Sequence, residues 1–183
     1  MCNAAELIEN KINRCLNIVS GGSTTTLPLI VKGVLPKKIN HLRLGESISN
    51  TQDLPMHWDC IIEGLDPNTF VLKAQIIELN YKPTYPIGIL KFDSFGEAGY
   101  YEDNGIRKRA IIALGNQDVG DCFKLIPLDN DIKILGASSD HTILDIHDCK
   151  NKYKLGDIVE FHVLYEPMLF SSLSKYVHKK FIR

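Results

Sequence analysis

An α/β segment followed by an antiparallel β-domain is the architecture this sequence predicts, on three observations. In the first 55 residues helical and strand-like stretches alternate, the order expected of parallel α/β units. From about Thr69 onward, short apolar runs cut by turn signals replace them. Two successive strand-to-helix turns close the first segment, one rich in Gly, Ser and Thr (Ser20 to Thr24) and one of the form Arg-x-Gly (Arg43 to Gly45). Anion-friendly turns on consecutive βα units suit the last units of a TIM-type (β/α)8 barrel, whose phosphate sites lie on the loops after its final strands.

Taken in order, AAELIENKINRC (4–15) sets Ala5, Leu7 or Ile8, Ile12 and Cys15 at helical spacing and predicts an amphipathic helix. LNIV (16–19) predicts a strand. STTTLPLIVKG (23–33) predicts a helix with Ser23 as cap and Gly33 as stop, weakened by three threonines and Pro28. KKINHLRLG (37–45) predicts a second strand, and ESISNTQDL (46–54) a last helix ahead of Pro55. Two strands cannot bury a parallel sheet, so this segment is expected to be the tail of something larger or to borrow strands from a partner.

The β-domain is expected from FVLKAQIIEL, IGILKF, RKRAIIALG, IKILGA, HTILDIH, DIVEFHVL and YVHKKFI. Turn signals at Asp66-Pro67-Asn68, Asn104-Gly105 and Gly156-Asp157 separate runs of this kind. They predict a barrel or sandwich of about 110 residues. The domains are expected at 1–55 and 56–183, with the junction between 53 and 68 and Trp58 as a packing anchor beside it.

Composition excludes several classes. With 183 residues, 44% hydrophobic content and a net charge of -1, the chain suits one globular unit or one and a part. No long apolar run implies a membrane span, and the opening MCNAAELIEN lacks the features of a signal peptide, so a cytoplasmic location without membrane partners is expected. Five cysteines without a C-x-x-C pair (Cys2, Cys15, Cys60, Cys122, Cys149) are expected to be reduced thiols. Cys122 and Cys149 have no visible activating partner and are not candidate nucleophiles.

The dense basic cluster Arg107, Lys108 and Arg109 reads as a solvated strand edge, and no nucleic-acid partner is expected. HTILDIHDC places His141, Ile143, Asp145 and His147 on one strand face, read as a polar stripe opposite Thr142, Leu144 and Ile146. Ligands about 7 Å apart on one strand, without a further cluster, do not make a metal site, and no metal is expected.

The chemistry resides in the two turns. Glycines at 21 and 22 let the backbone approach an anion, and the hydroxyls of Ser20, Ser23 and Thr24 with the N–H groups of a helix start can donate to it. The stretch has no Walker lysine and is not G-x-G-x-x-G, so taken alone it reads equally well as an ordinary capped turn. His41 lies two residues before Arg43 on the same strand face and reads equally as a barrel-interior ligand contact or as filler.

VSGGSTTTLPLIVKGVLPKKINHLRLGE, GIRKRAIIALGNQDV, ILGASSDHTILDI, YKLGDIVEF and SKYVHKKFI together resemble the C-terminal part of the pyridoxal-phosphate (PLP) amino-acid racemases of alanine racemase fold, nearest to the ornithine racemase branch. The resemblance implies PLP as cofactor, with Gly22, Ser23 and Thr24 as the phosphate loop and Gly45 with Glu46 as a second phosphate contact. It places Arg43 opposite the pyridine nitrogen, where a guanidinium keeps that nitrogen unprotonated and favours racemisation over transamination. Ser139 and Asp140 take the substrate-carboxylate segment.

Three departures stand out. Asn116 occupies the position of the family's tyrosine base, and an amide is no general base. Glu166-Pro167 replaces an expected Gly-Ala. The family's Schiff-base lysine has no counterpart: Lys32 falls in a helix, and Lys73 and Lys91 in β-domain strands. The resemblance therefore implies a C-terminal portion of a racemase of ornithine or another amino acid, inactive alone, in a head-to-tail homodimer or with a complementing N-terminal half. The alternatives are a non-catalytic β-domain acting as an interaction subunit, or one half of a split racemase.

Overall fold

The computed structural model describes residues 1–88 and 102–182, so the expected strand IGILKF and Lys91 lie largely or wholly outside the described residues. Contacts divide the chain into two units, Met1–Thr69 and Phe70–Arg183.

The first unit opens with helix α1 (Cys2–Ile12), whose end is set by Asn13 in the left-handed region. Its apolar residues do follow helical spacing, but only Ala5 is buried, while Leu7, Ile8 and Ile12 are exposed. The two expected strands shrink to β1 (Ser20–Gly21) and β2 (His41–Leu42), paired in parallel. With one neighbour each, they hold only the residues that face each other. LNIV is not a strand, and the N–H of Val19 is taken by the Asn40 side chain at 2.9 Å.

The helix expected over 23–33 divides into a 3-10 turn (Thr24–Thr26) and helix α2 (Leu27–Val31), with Pro28 in the first turn where a missing N–H costs nothing. Gly33, at φ 67°, ends it: its N–H bonds the Ile30 carbonyl and that of Val34 bonds Leu29, a Schellman closure that favours glycine. Ser23 precedes the turn without a capping bond. The last expected helix is two, α3 (Glu46–Ser49) and α4 (Asp53–Trp58), separated by Asn50, whose side chain accepts from the Gln52 N–H. Trp58 is not the buried anchor anticipated; it is 46% exposed, and Leu54 is the buried residue of α4.

The second unit is one antiparallel sheet in the order β5-β8-β3-β4-β7-β6. Strand β3 (Val71–Pro83) is its spine, pairing β8 (Ile158–Val163) through its first half and β4 (Ile106–Ile112) through its second. An irregularity at Ile76/Glu78 separates the two halves, and such bulges bend a strand. Alternation puts Leu72, Ala74 and Ile76 inside, against Ile112, Leu144 and Phe161. The sheet continues through β5 (Leu125–Pro127), β6 (Lys133–Ala137) and β7 (Thr142–Asp145). The barrel part of the expected fold is represented by the β1/β2 pair and its helices, not by a closed barrel.

Three readings of this unit change. The basic cluster is not an edge: β4 lies between β3 and β7, and Arg107 is tied to Asp145 and Asp148. The stripe is not uniformly solvated, because that ion pair buries Asp145, while Thr142, Leu144 and Ile146 point inward as expected. YVHKKFI forms no strand, and the segment before it folds as helix α6 (Tyr165–Leu173). Glu166 pairs with Lys124 there, and Pro167 is fully buried in the first turn, where proline is tolerated.

Candidate functional site

The β1/β2 pair brings the two anion-friendly turns together. The Arg43 N–H donates to the Gly22 carbonyl at 3.1 Å, and the Ser47 N–H donates to Thr24 Oγ1 at 3.1 Å. Thr24, expected to face a ligand, instead is buried and fastens one turn to the other. The outward hydroxyls are Ser23 and Thr25, 3.0 Å apart and exposed. The first N–H groups of a helical turn have no partner inside it, so those that follow Ser23 and Gly45 are the donors such turns can offer.

Arg43 Nη1 donates to the Ser20 carbonyl at 3.2 Å and to Ser20 Oγ at 2.7 Å, and Ser20 Oγ lies 2.8 Å from His41 Nδ1. A guanidinium only donates, so Ser20 Oγ accepts from Arg43 and shares a second hydrogen bond with His41 Nδ1. His41 is thus an exposed partner in the network around Arg43. One guanidinium nitrogen is used, and its Nε and Nη2 make no hydrogen bond among the described residues.

The glycines differ in what explains them. A Cβ on Gly22 would meet Thr26 Oγ1 at 2.3 Å and one on Gly21 would meet Ile39 at 2.8 Å, so a side chain at either position would displace a neighbouring side chain. Gly45 has φ -119° and ψ -79°, beyond the usual α region, and nothing lies within 4 Å of where its Cβ would stand. The space before this turn is open, as close approach of a bulky anion requires. Beside it burial, and then the Asp53 carboxyl, pushes Glu46 up to about 7, and Glu46 Oε1 is buried without a hydrogen-bond partner among the described residues. Spacing gave no sign of Asp53.

In the second unit the other expected residues converge on two stitched turns. The Asn116 N–H donates to the Ser138 carbonyl at 3.0 Å and that of Gln117 to Ser139 at 2.9 Å. The Thr142 hydroxyl donates to the Leu114 carbonyl at 2.6 Å. Gly115 permits this: a Cβ there would lie 2.4 Å from the Asp140 nitrogen and the Ser139 oxygen. Asn116 begins a helical turn, α5 (Asn116–Val119), and its Oδ1 accepts from the Cys122 N–H at 3.1 Å, so the amide holds backbone.

Ser139 and Asp140 stand together and exposed, with Ser138 Oγ and Ser139 Oγ donating to Asp140 at 3.1 and 3.2 Å and His141 Nδ1 at 3.2 Å. Burial opposes ionisation of Asp140, but these donors and the His141 charge hold its carboxyl below the usual range. Cys122 and Cys149 are buried, and burial pushes each thiol up to about 11, against a nucleophilic role. Asp145 is committed to Arg107. Among the described residues no helix is long and apolar enough to cross a membrane.

The antiparallel sheet of the second unit is similar to the C-terminal β-domain of the alanine racemase fold. The chain superposes on alanine racemase from Bartonella henselae with a TM-score of 0.53 at 16% identity, over 93% of this chain and 45% of that one. It is 44% identical over 182 residues to the ornithine racemase of Acetoanaerobium sticklandii, covering 100% of this chain and 51% of that protein. To the lysine racemase of Thermotoga maritima it is 40% identical over 174 residues, 95% of this chain and 48% of the relative. No family model matches. The chain is similar to the C-terminal part of these amino-acid racemases and spans about half the length of the curated relatives.

Proposed function

We propose that this chain forms the phosphate-gripping and substrate-facing part of a PLP-dependent racemase of ornithine or another basic amino acid. Gly45 carries the reading: with nothing packed where a Cβ would stand, it borders open space at the junction of two turns that present N–H groups. The relatives named ornithine racemase and lysine racemase support the substrate class.

PLP, when bound, supplies the electron sink that acidifies the Cα–H of an amino acid. Ser23, Gly45 and Glu46 are to hold its phosphate through hydroxyl and N–H groups, with Gly22 keeping the first turn close and Thr24 locking it to the second. Arg43, steadied by Ser20 and His41, is to donate to the ring nitrogen, and because a guanidinium keeps its proton the ring nitrogen gains none. Ser139 and Asp140, on the turn stitched to Asn116, are to face the substrate. Asn116 holds the Cys122 N–H and moves no proton, so racemisation, which needs a proton carrier on each face of Cα, draws on other groups of the whole enzyme. A complementing N-terminal half that carries the Schiff-base lysine, within a head-to-tail dimer, is the partner this reading requires.

The experiment is amide NMR of the 183-residue chain with PLP and, in parallel, with pyridoxal. PLP should shift the amides of Gly22, Ser23, Gly45 and Glu46, and pyridoxal should leave them unmoved. Equal effects of the two, or shifts confined to lysine-rich surface, would refute the phosphate grip.

A further inference from the structure

The polar stripe of β7 ends at His147, whose ring closes the β4–β7 ladder. Past Asp145 the chain turns: the Ile146 N–H still donates to the Lys108 carbonyl at 3.0 Å, but the Ile146 carbonyl accepts from the Cys149 N–H at 3.3 Å. In an antiparallel ladder a hydrogen-bonded pair exchanges both bonds, so the return bond would run from the Lys108 N–H to the Ile146 carbonyl. The imidazole takes it instead, with the Lys108 N–H donating to His147 Nδ1 at 3.2 Å. The exposed ring meets Tyr81, the residue opposite Lys108 on β3, edge-on with 6.5 Å between centroids. The His147 N–H in turn donates to Asp145 Oδ1 at 3.0 Å.

A backbone N–H only donates, so this bond exists only while Nδ1 carries no proton; an imidazolium donates from both nitrogens and accepts at neither. We propose that His147 is a pH-operated latch on the β4–β7 end of the sheet, closed by the neutral ring and opened by its protonation. The titratable and charged groups around it are Tyr81 on β3, Arg107 and Lys108 on β4, Asp145 and Asp148 on its own segment, and Lys133 on β6. Lys108 Nζ is engaged with the Tyr153 carbonyl at 3.3 Å, and Arg107 with both aspartates. Protonation therefore turns the ring from an acceptor for β4 into a further cation beside Asp148, whose carboxyl Arg107 and then the imidazole charge hold below the usual range. Imidazole is the side chain that changes charge across the physiological range, and the sign follows: the latch is shut on the basic side of that change and lost on the acid side.

The test is NMR of the nitrogen-15-labelled whole chain at pH 8 and pH 5. A nitrogen–nitrogen coupling through the hydrogen bond should join the Lys108 amide to His147 Nδ1 at pH 8 and vanish at pH 5. Exchange protection of the Lys108 amide, corrected for its intrinsic rate, should fall about tenfold between the two, the worth of one hydrogen bond. His147→Asn offers a carbonyl oxygen that does not titrate, and should keep Lys108 protected at both pH values as in the native chain at pH 8. His147→Phe keeps a ring against Tyr81 without an acceptor, and should hold Lys108 at both as in the native chain at pH 5. The amides of β3 and β8 report that the sheet is intact in every case. A coupling that survives at pH 5, protection of Lys108 that is flat with pH in the native chain, or an equal fall in the asparagine variant overturns the latch.

Discussion

Arg107 shows how one residue sets the character of a whole strand. Its guanidinium bonds both oxygens of Asp145 and also Asp148, and its side chain is 18% exposed against 7% for Asp145. Burial pushes the Asp145 carboxyl up, but the Arg107 bonds and the His147 N–H outweigh it and hold the carboxyl below its usual range. A depressed carboxylate contributes stability above its unfolded value near 3.8 and loses it as pH falls through the lower folded value. Arg107→Met strands that buried charge, so it should cost ~3 kcal/mol at pH 7. Near pH 3 the stranded carboxyl protonates and the deficit should shrink. Urea denaturation of both proteins at the two pH values checks this, and a deficit independent of pH would assign the loss to packing alone.

At the scale of elements, the strands of the second unit were legible because each has one buried face and therefore alternates; Leu72, Ala74 and Ile76 are enough to fix β3. The strands of the first unit were not, because a parallel strand extends only as far as its neighbours, and β1 and β2 have one apiece. Helix α6 was hidden by Pro167 in an apolar run that reads as extended chain. The site divides the same way: Gly22, Arg43 and Gly45 announce themselves by residue type, whereas the Ser20–His41 contact that accompanies Arg43 depends on the pairing of β1 with β2. Gly115 belongs to this scale too, since it decides whether two turns can touch. Gly115→Ala places a methyl group 2.4 Å from backbone that has no side-chain freedom to yield. It should cost about 1–3 kcal/mol and shift the Ser139 and Asp140 amides. Unaltered stability would mean that this docking is looser than the contact implies.

Across the whole molecule the two units are held by different means. Every residue of the apolar core cluster, from Leu72 to Met168, belongs to the second unit. The first unit buries Ala5, Val19, Leu54 and Cys60 but leaves Leu7, Ile12, Ile18, Val34, Ile48 and Ile61 more than half exposed. A segment that buries so little apolar surface opens with little free energy, and its two-residue strands protect few amides. Hydrogen exchange on the isolated chain should therefore find β3, β4 and β8 exchanging slowest, at rates approaching global unfolding, with residues 1–69 faster by at least ~100-fold. Adding a complementing half should slow exchange in 1–69, where these apolar residues are exposed, and leave β3, β4 and β8 unchanged. Equal, strong protection of both units in the lone chain would show that the first unit is self-sufficient, and the need for a complementing half would fall with it.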